Sequence, residues 1–302
     1  MRPWGGRIVR TSLAGVSSNV LGAGSSVTVV LSFARNIACK ARGILRRSLQ
    51  AGKLRHSRRR PSSEVMPWIA HYWMINWDLG GCEPQIVESL PHPNIHLIFE
   101  KGTSVVSGVQ TRKFSRVLEG QARVFGVKFR PGGFRPFLDG AVSELADRVV
   151  PANRIFGKDL EPLEAIVFSS GKEDDKVRAA DDFFRARAPT RDSMIELAGQ
   201  LVERILRETE IKSVDELARH AVISKRRLQR IFNEYVGVSP KWVILRYRMH
   251  ELVEKINSGR RLDWSQVALD LGYFDQAHLI NDFKSIVGYS PTEYQKLILK
   301  SS

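Results

Sequence analysis

Residues 224–235 carry basic and amide side chains at helical spacing opposite an apolar stripe. The stripe recurs every three or four residues, which predicts one buried helix face, formed by Leu228, Ile231, Phe232 and Tyr235. The other face carries six groups that could bond DNA, namely Lys225, Arg226, Arg227, Gln229, Arg230 and Asn233. Arginine can bond guanine bidentately, glutamine or asparagine can bond adenine, and further cations can hold phosphates. The pattern therefore fits a helix that reads the major groove, or simply a solvated polar face.

Capping signals on either side show which elements would position these side chains. Ser213 followed by Glu216 fits a capping box, which predicts a short helix starting near residue 214. After a three-residue turn, Ser224 can cap the second helix. Ser239-Pro240 opens a third, longer helix that ends at Gly259. A short helix, a turn and a second helix are the parts of a helix-turn-helix DNA-binding unit.

A second copy of this pattern follows Asp263. A short helix near residue 268 is followed by a turn at Gly272 and by a helix over residues 275–287. The two copies end alike, since residues 236–240 and 287–291 both read Val-Gly-x-Ser-Pro. The outward positions that could meet DNA in the second copy are Gln276, Ala277, Asn281 and Lys284. The repeat predicts two units joined by one linker helix.

These motifs, in this order, resemble the signature of the AraC/XylS family of transcription regulators. The matching segments are residues 228–232, the paired Gly-x-Ser-Pro endings, residues 268–279 and residues 290–294. The resemblance covers about residues 205–298 and implies a seven-helix domain that places two recognition helices in successive major grooves. It also implies base contacts by Arg226, Gln229 and Arg230 in the first unit and by Gln276, Ala277 and Asn281 in the second.

Two positions depart from the family pattern. Val222 stands where the family often has glycine, and because a β-branched residue disfavours positive φ, we expect this turn to be shaped differently. Asn281-Asp282 stands where an arginine commonly leads the contacts. Residues 212–261 carry 12 basic and 5 acidic groups, whereas residues 262–302 carry 3 and 5. We therefore predict that the first unit supplies most of the affinity and the second mainly tunes specificity.

The sequence predicts an α+β fold class, with a basic segment over residues 1–63 and two domains after it. Residues 64–208 form a regulatory domain, β-rich over 64–150, where it could close into a barrel, and helical over 151–208. Residues 209–302 form the all-α DNA-binding domain. An apolar stripe between residues 195 and 206 could cover the β-rich part or pair with a second copy in a homodimer.

Segments 90–100 and 125–134 resemble a sensor-type domain found ahead of such DNA-binding units. The resemblance implies no particular ligand, and the site of any small-molecule effector is unknown. His92 and His96 would share one face of an extended strand and could bind a metal, but no third ligand is evident, so we expect structural histidines and no metal. Lys128 and Arg130 also share a face and could meet an anionic effector or solvent.

The net charge of +15 is concentrated at the start of the chain, because residues 1–63 hold 13 Lys and Arg residues and no acid. This segment could be a phosphate-binding arm, a targeting sequence, or the product of a misassigned start with translation beginning near Met66. We favour a misassigned start or a disordered tail. The DNA-binding prediction therefore depends on the motifs rather than on the total charge.

Several function classes lack support in the sequence. No run of 18 apolar residues predicts a membrane span, and two cysteines, Cys39 and Cys82, predict no disulfide framework, which fits a cytoplasmic protein. No phosphate loop, nucleophile elbow or zinc-protease motif is present, so we predict no enzyme, no catalytic residues and no cofactor. The expected partners are double-stranded DNA, an unknown effector and, as a candidate, RNA polymerase. The alternative is a DNA-independent interaction module on a retained helix-turn-helix scaffold.

Overall fold

The computed structural model describes residues 54–188, 192–259 and 262–299. The strands in these ranges are β1 Leu54–Arg59, β2 Ile69–Asp78, β3 Gln85–Ser89, β4 His96–Glu100, β5 Thr103–Ser107, β6 Phe114–Leu118, β7 Gln121–Phe129 and β8 Val149–Pro151. The helices are α1 Asn153–Phe156, α2 Glu161–Ser169, α3 Glu173–Ala186, α4 Ser193–Arg207, α5 Val214–His220, α6 Lys225–Ile231, α7 Pro240–Asn257, α8 Trp264–Asp270, α9 Gln276–Val287 and α10 Pro291–Leu299. The predicted α+β class is confirmed: a β-rich domain precedes a helical one.

The main sheet has six antiparallel strands in the order β1-β2-β7-β4-β5-β8. Alternate residues of β2 and β7, such as Tyr72, Met74 and Val127, are buried on one face, where helices α2 and α3 supply Leu163 and Phe184 to the same core. In the described part of the chain no strand joins β1 to β8. The sheet is therefore open and does not form the closed barrel that the sequence allowed.

The opposite face of the sheet is partly covered by a two-stranded sheet of β3 and β6. Trp77, Leu79, Leu118 and Val124 form a separate small core between the two sheets. The β-rich domain is thus layered, with helices on one face of the main sheet and a hairpin-like pair on the other.

Strand β1 corrects the predicted domain boundary at residue 63. Residues 54–59 pair with β2 along their whole length and form one edge of the main sheet. Arg59 bonds Glu173 of α3 at 2.7 Å. The acids that neutralise this basic stretch lie more than a hundred residues away in the sequence, so it resembles a disordered tail when read alone. Residues 1–53 lie outside the described residues, and the prediction for them stays a prediction.

The apolar stripe of α4 packs within the chain itself. Ile195, Ala198, Leu201 and Val202 are buried in the core that also holds helices α5 and α6. Asp192 caps α4 by accepting from the Met194 backbone N–H at 2.8 Å. Because this stripe is already covered, a homodimer would have to use another surface.

The helical domain divides between two cores. The first unit, α5 and α6, shares one continuous core with the β-rich domain, through residues such as Leu217, Leu228 and Phe232. The second unit and the end of α7 form another core, with Leu279 and Phe283 at its centre. The first unit is therefore packed more intimately against the N-terminal domain than the second. None of the helices in the described ranges is both long and apolar enough to cross a lipid bilayer.

Candidate nucleic-acid interface

The first unit forms as the capping residues predicted. Ser213 accepts the Glu216 backbone N–H at 3.1 Å, and the Glu216 carboxylate accepts the Lys212 N–H at 2.6 Å. Ser224 accepts the Arg227 N–H at 3.2 Å and starts α6. These bonds satisfy donors that a helix start leaves unpaired, so the helix boundaries are set locally.

The predicted recognition face of α6 is exposed. All six side chains named from the sequence are exposed to solvent, namely Lys225, Arg226, Arg227, Gln229, Arg230 and Asn233. Lys225 pairs with Asp215 of α5, which leaves its ammonium partly neutralised. The helix continues into a π-helical turn over Phe232–Val236, and Asn233 lies on this turn. One helix thus presents three arginines and two amides that are free to contact a ligand.

The two helix-turn-helix turns have the same backbone shape. Val222 has φ of 54°, and Gly272, at the equivalent place in the second unit, has φ of 75°. In both turns the next residue donates its N–H back to the helix, from Ile223 to Ala218 and from Tyr273 to Ala268. The expectation that Val222 would change the turn is therefore wrong. The strained conformation is kept, with a valine side chain that is 89% exposed.

We expect Val222→Gly to raise the free energy of unfolding by about 1 kcal/mol, because it removes the left-handed strain of a β-branched residue and loses almost no packing. The flexibility of glycine in the unfolded chain offsets part of the gain. Urea denaturation followed by circular dichroism measures the change. Gly272→Val is the matched control and should lower stability. A Val222→Gly variant no more stable than the parent would show that the turn carries no strain.

The second recognition helix, α9, starts at Asp275, which accepts the His278 N–H at 2.7 Å. Ala277, Asn281 and Lys284 are exposed, whereas Gln276 is half-buried. Phe274, an extra residue relative to the first turn, is 94% exposed immediately before the helix. This face has one cation, so the two recognition faces differ in charge as the sequence predicted.

The linker helix α7 is held by the N-terminal domain through Arg246, which is fully buried. Its guanidinium donates to the Pro91 carbonyl and lies 2.9 Å from Nδ1 of His92. Nearby, the Trp242 indole donates to the Thr111 carbonyl at 3.3 Å. Arg246 was not among the residues predicted from the sequence. Its position three residues from both Val243 and Met249, on the buried face of the helix, is the signal that could have identified it.

Two polar contacts join the end of the α6 helix to the preceding domain. The Tyr235 hydroxyl donates to Asp192 at 2.9 Å, and Arg135 pairs with Glu234 at 2.9 Å. Both contacts reach the end of the helix that carries the recognition face. Movement of the N-terminal domain would therefore displace α6 directly.

Four histidines are held neutral around the β-rich domain. Burial lowers the pKa of His56 to about 4, of His71 to about 2 and of His96 to about 3. Burial, and then the Arg246 guanidinium, hold the pKa of His92 well below its usual range. Lys128 lies opposite both His71 and His96 on neighbouring strands, which disfavours further positive charge there.

His92, His96 and Arg130, which were weighed as possible ligands in the sequence, each bond another group of the protein. His92 lies in the loop before β4 and meets Arg246, while His96 accepts from the Trp73 indole at 3.1 Å. Arg130 donates to the Met66 carbonyl at 2.7 Å, at the end of β7, rather than sharing a site with Lys128. In the residues that the structure describes, no group of three His, Cys, Asp or Glu side chains is arranged to hold a metal.

Two protein families match parts of this chain. A family described as a helix-turn-helix domain matches residues 217–297. A family described as a domain of unknown function, DUF6597, matches residues 57–151.

Two curated relatives and one solved structure are similar to parts of the chain. An uncharacterized HTH-type transcriptional regulator of Haemophilus influenzae is 27% identical over 85 residues, 28% of each chain. The protein named "Probable transcriptional regulator LumQ" of Photobacterium leiognathi is 31% identical over 86 residues, 28% of this chain and 34% of that protein. The structure of ToxT from Vibrio cholerae is 13% identical, covers 81% of this chain and 98% of ToxT, and has a TM-score of 0.33.

The C-terminal part of this chain is thus similar to a helix-turn-helix domain, and the part before it is similar to DUF6597. Both curated relatives are named as transcription regulators. The match spans about a third or less of the length of these relatives.

Proposed function

We propose that the protein is a sequence-specific DNA-binding transcription regulator. Helices α6 and α9 would read successive major grooves, and the N-terminal domain would control them. The observation that carries this proposal is the tandem of two capped helix-turn-helix units, of which the first presents an exposed face of arginines and amides. Such a face supplies both base readout and phosphate contacts.

In this proposal Arg226, Gln229 and Arg230 contact bases in the first groove, and Lys225, Arg227 and Asn233 support them. Gln276, Ala277, Asn281 and Lys284 face the second groove. The side chains that would do this are exposed except for Gln276. RNA polymerase and a second copy of the chain are further candidate partners. The contacts of α6 and α7 with the preceding domain give an effector a path to the DNA-binding units.

Selection of genomic DNA fragments by the purified full chain, at 50 mM and 200 mM salt, tests the function. We expect a shared motif with two blocks about one helical turn, or 10 base pairs, apart. Affinity should fall steeply with salt, because phosphate contacts release counterions. Binding without a motif, or no binding at either salt concentration, would favour the DNA-independent interaction module instead.

Arg226→Ala should weaken binding to the selected site by about 1–3 kcal/mol, because a bidentate contact to a base is lost. Asn281→Ala should weaken it less, since the second unit carries less positive charge. Fluorescence anisotropy with a labelled duplex measures both. Arg154→Ala, an exposed arginine of the N-terminal domain, removes the same charge and should leave affinity almost unchanged. Equal losses for Arg226→Ala and Asn281→Ala would contradict the ranking of the two units.

A further inference from the structure

A cleft of about 530 Å³ opens where the start of α3 faces the edge of the main sheet. Strands β1, β2 and β7 form one wall, and residues 171–176 form the other. The volume lies within the range of small-molecule sites. None of the lining residues belongs to the DNA-binding units.

A row of polar side chains crosses the sheet wall of this cleft. Arg55 of β1 lies directly opposite Asn76 of β2, which lies directly opposite Arg123 of β7. Side chains that are directly opposite share a face of the sheet and have Cβ atoms about 5 Å apart. Two guanidinium groups therefore flank one amide, and all three can donate hydrogen bonds into the same space. This is a donor set suited to carboxylate or phosphate oxygens.

The facing wall adds positive charge. Lys172 and Lys176 line it, together with the acids Glu173 and Asp174. Both acids already bond Arg59, at 2.7 and 3.5 Å respectively. The cleft thus holds five cations against two acids, and the acids are engaged by a single arginine.

Four of the five cations form no direct ion pair. Across the described ranges this holds for Arg55, Arg123, Lys172 and Lys176. Burial, and then the Arg123 charge, lower the pKa of Lys176, and the Glu173 charge offsets only part of this, so the ammonium lies in a setting that disfavours positive charge. A bound anion would relieve that repulsion. Below the charges, the buried side chain of Met74, on the same face of the sheet as Asn76, provides a small apolar floor.

We propose that this cleft binds a small organic anion with at least two negative charges, carried by carboxylate or phosphate groups. Its negative groups would bridge the Arg55–Asn76–Arg123 row and the lysines of α3. Its carbon skeleton would lie on Met74.

The cleft is connected to the first DNA-binding unit through two helices. Helix α3 forms one wall, and the chain then continues to Asp192, which caps α4 and accepts the Tyr235 hydroxyl. An anion that draws α3 towards the sheet would therefore act on the end of the first recognition helix. The role of this ligand as an effector rests on the proposed DNA-binding function, but its binding does not.

Calorimetric titration of the full chain without DNA tests the site. The probes are citrate, pyrophosphate and glucose 6-phosphate, with glucose as the uncharged comparison, all in 150 mM NaCl. We expect at least one anion to bind and glucose not to bind. Arg123→Gln and Lys176→Gln should each raise its Kd about 10-fold or more, because a charge-assisted contact is lost. Arg178→Gln, on the exposed side of α3 where it pairs with Asp175, should leave the Kd unchanged.

Three outcomes would overturn the proposal. The first is that none of the anions binds. The second is that one of them binds the Arg123→Gln variant as tightly as the parent protein. The third is that Arg123→Gln lowers the affinity for a non-specific duplex while anion binding is unchanged. The last result would assign these cations to DNA phosphates. Because the titration contains no DNA, it can establish an anion site even if the protein does not bind DNA. In the same way, a failure of anion binding leaves the proposed DNA-binding function intact.

Discussion

We expect the free energy of unfolding to fall by about 5 kcal/mol when the pH is lowered from 7.5 to 5.5, because four histidines stay neutral in the folded protein. The four are His56, His71, His92 and His96, whose pKa values the fold holds well below the usual histidine range. A loss of this size approaches the whole stability of many domains. Acid should therefore unfold this protein at a pH that most cytoplasmic proteins tolerate.

Stability falls as the pH falls because the fold lowers the pKa of each of the four histidines. In the unfolded chain each histidine has a pKa near 6.5 and binds a proton as the pH falls below that value. In the folded chain the same group stays neutral until its lowered pKa is reached, so protons stabilise only the unfolded state in this window. Each histidine then costs about 1.3 kcal/mol at pH 5.5 relative to pH 7.5. Above pH 7 the histidines are neutral in both states and the protein keeps its full stability. As the pH falls, the loss in the free energy of unfolding grows.

Urea denaturation at five pH values between 7.5 and 5.5 measures this dependence. His71→Gln should reduce the change in the free energy of unfolding with pH by about a quarter, since it removes one of the four histidines that cause it. His278→Gln, at a histidine exposed on α9, controls for the substitution itself. A parent protein equally stable at both ends of the range would show that the histidines are protonated in the folded state.

The helical domain was the most predictable part of the chain, because its boundaries are determined by local chemistry. Ser213, Ser224 and Asp275 each cap a helix with a side chain that lies three residues from its partner. The apolar periodicity then identified the buried faces, and Leu228 and Leu279 are fully buried as expected. The exposed faces followed from the same periodicity. Whether those faces contact DNA is not fixed by exposure alone and stays a proposal.

The N-terminal domain was less predictable because its stabilising contacts are distant in sequence. The basic strand β1 depends on acids of α3, and the Tyr72 hydroxyl bonds Asp181 at 2.6 Å across more than a hundred residues. An open sheet and a closed barrel share the same strand signals, and only strand pairing distinguishes them. The cleft cations were missed for the same reason, since β1 and α3 meet only in the fold.

Arg246 makes a fully buried polar contact between the two domains. It lies on α7, the helix that joins the two DNA-binding units, and bonds the loop that carries Pro91 and His92. Its guanidinium also lies over the Tyr247 ring, at 4.6 Å from the centroid. A buried charge is costly to desolvate, so its value depends on keeping all of these contacts together. Truncation would remove side-chain volume and leave the loop's polar groups unsatisfied.

We expect Arg246→Ala to lower the free energy of unfolding by about 3–5 kcal/mol, through the cavity it leaves and the polar groups it leaves unpaired. Urea denaturation at pH 7.5 measures the loss. Lys241→Ala, an exposed change on the same helix, should stay within about 0.5 kcal/mol of the parent.

Arg246→Met separates the charge from the volume, because it keeps most of the side-chain bulk. We expect it to lose less stability than Arg246→Ala, since only the polar contacts are removed. It should also weaken the pH dependence, because the Arg246 charge is the second cause, after burial, of the low pKa of His92. A methionine variant as unstable as alanine would contradict the separation into volume and charge. A methionine variant with an unchanged pH slope would mean that burial alone keeps His92 neutral.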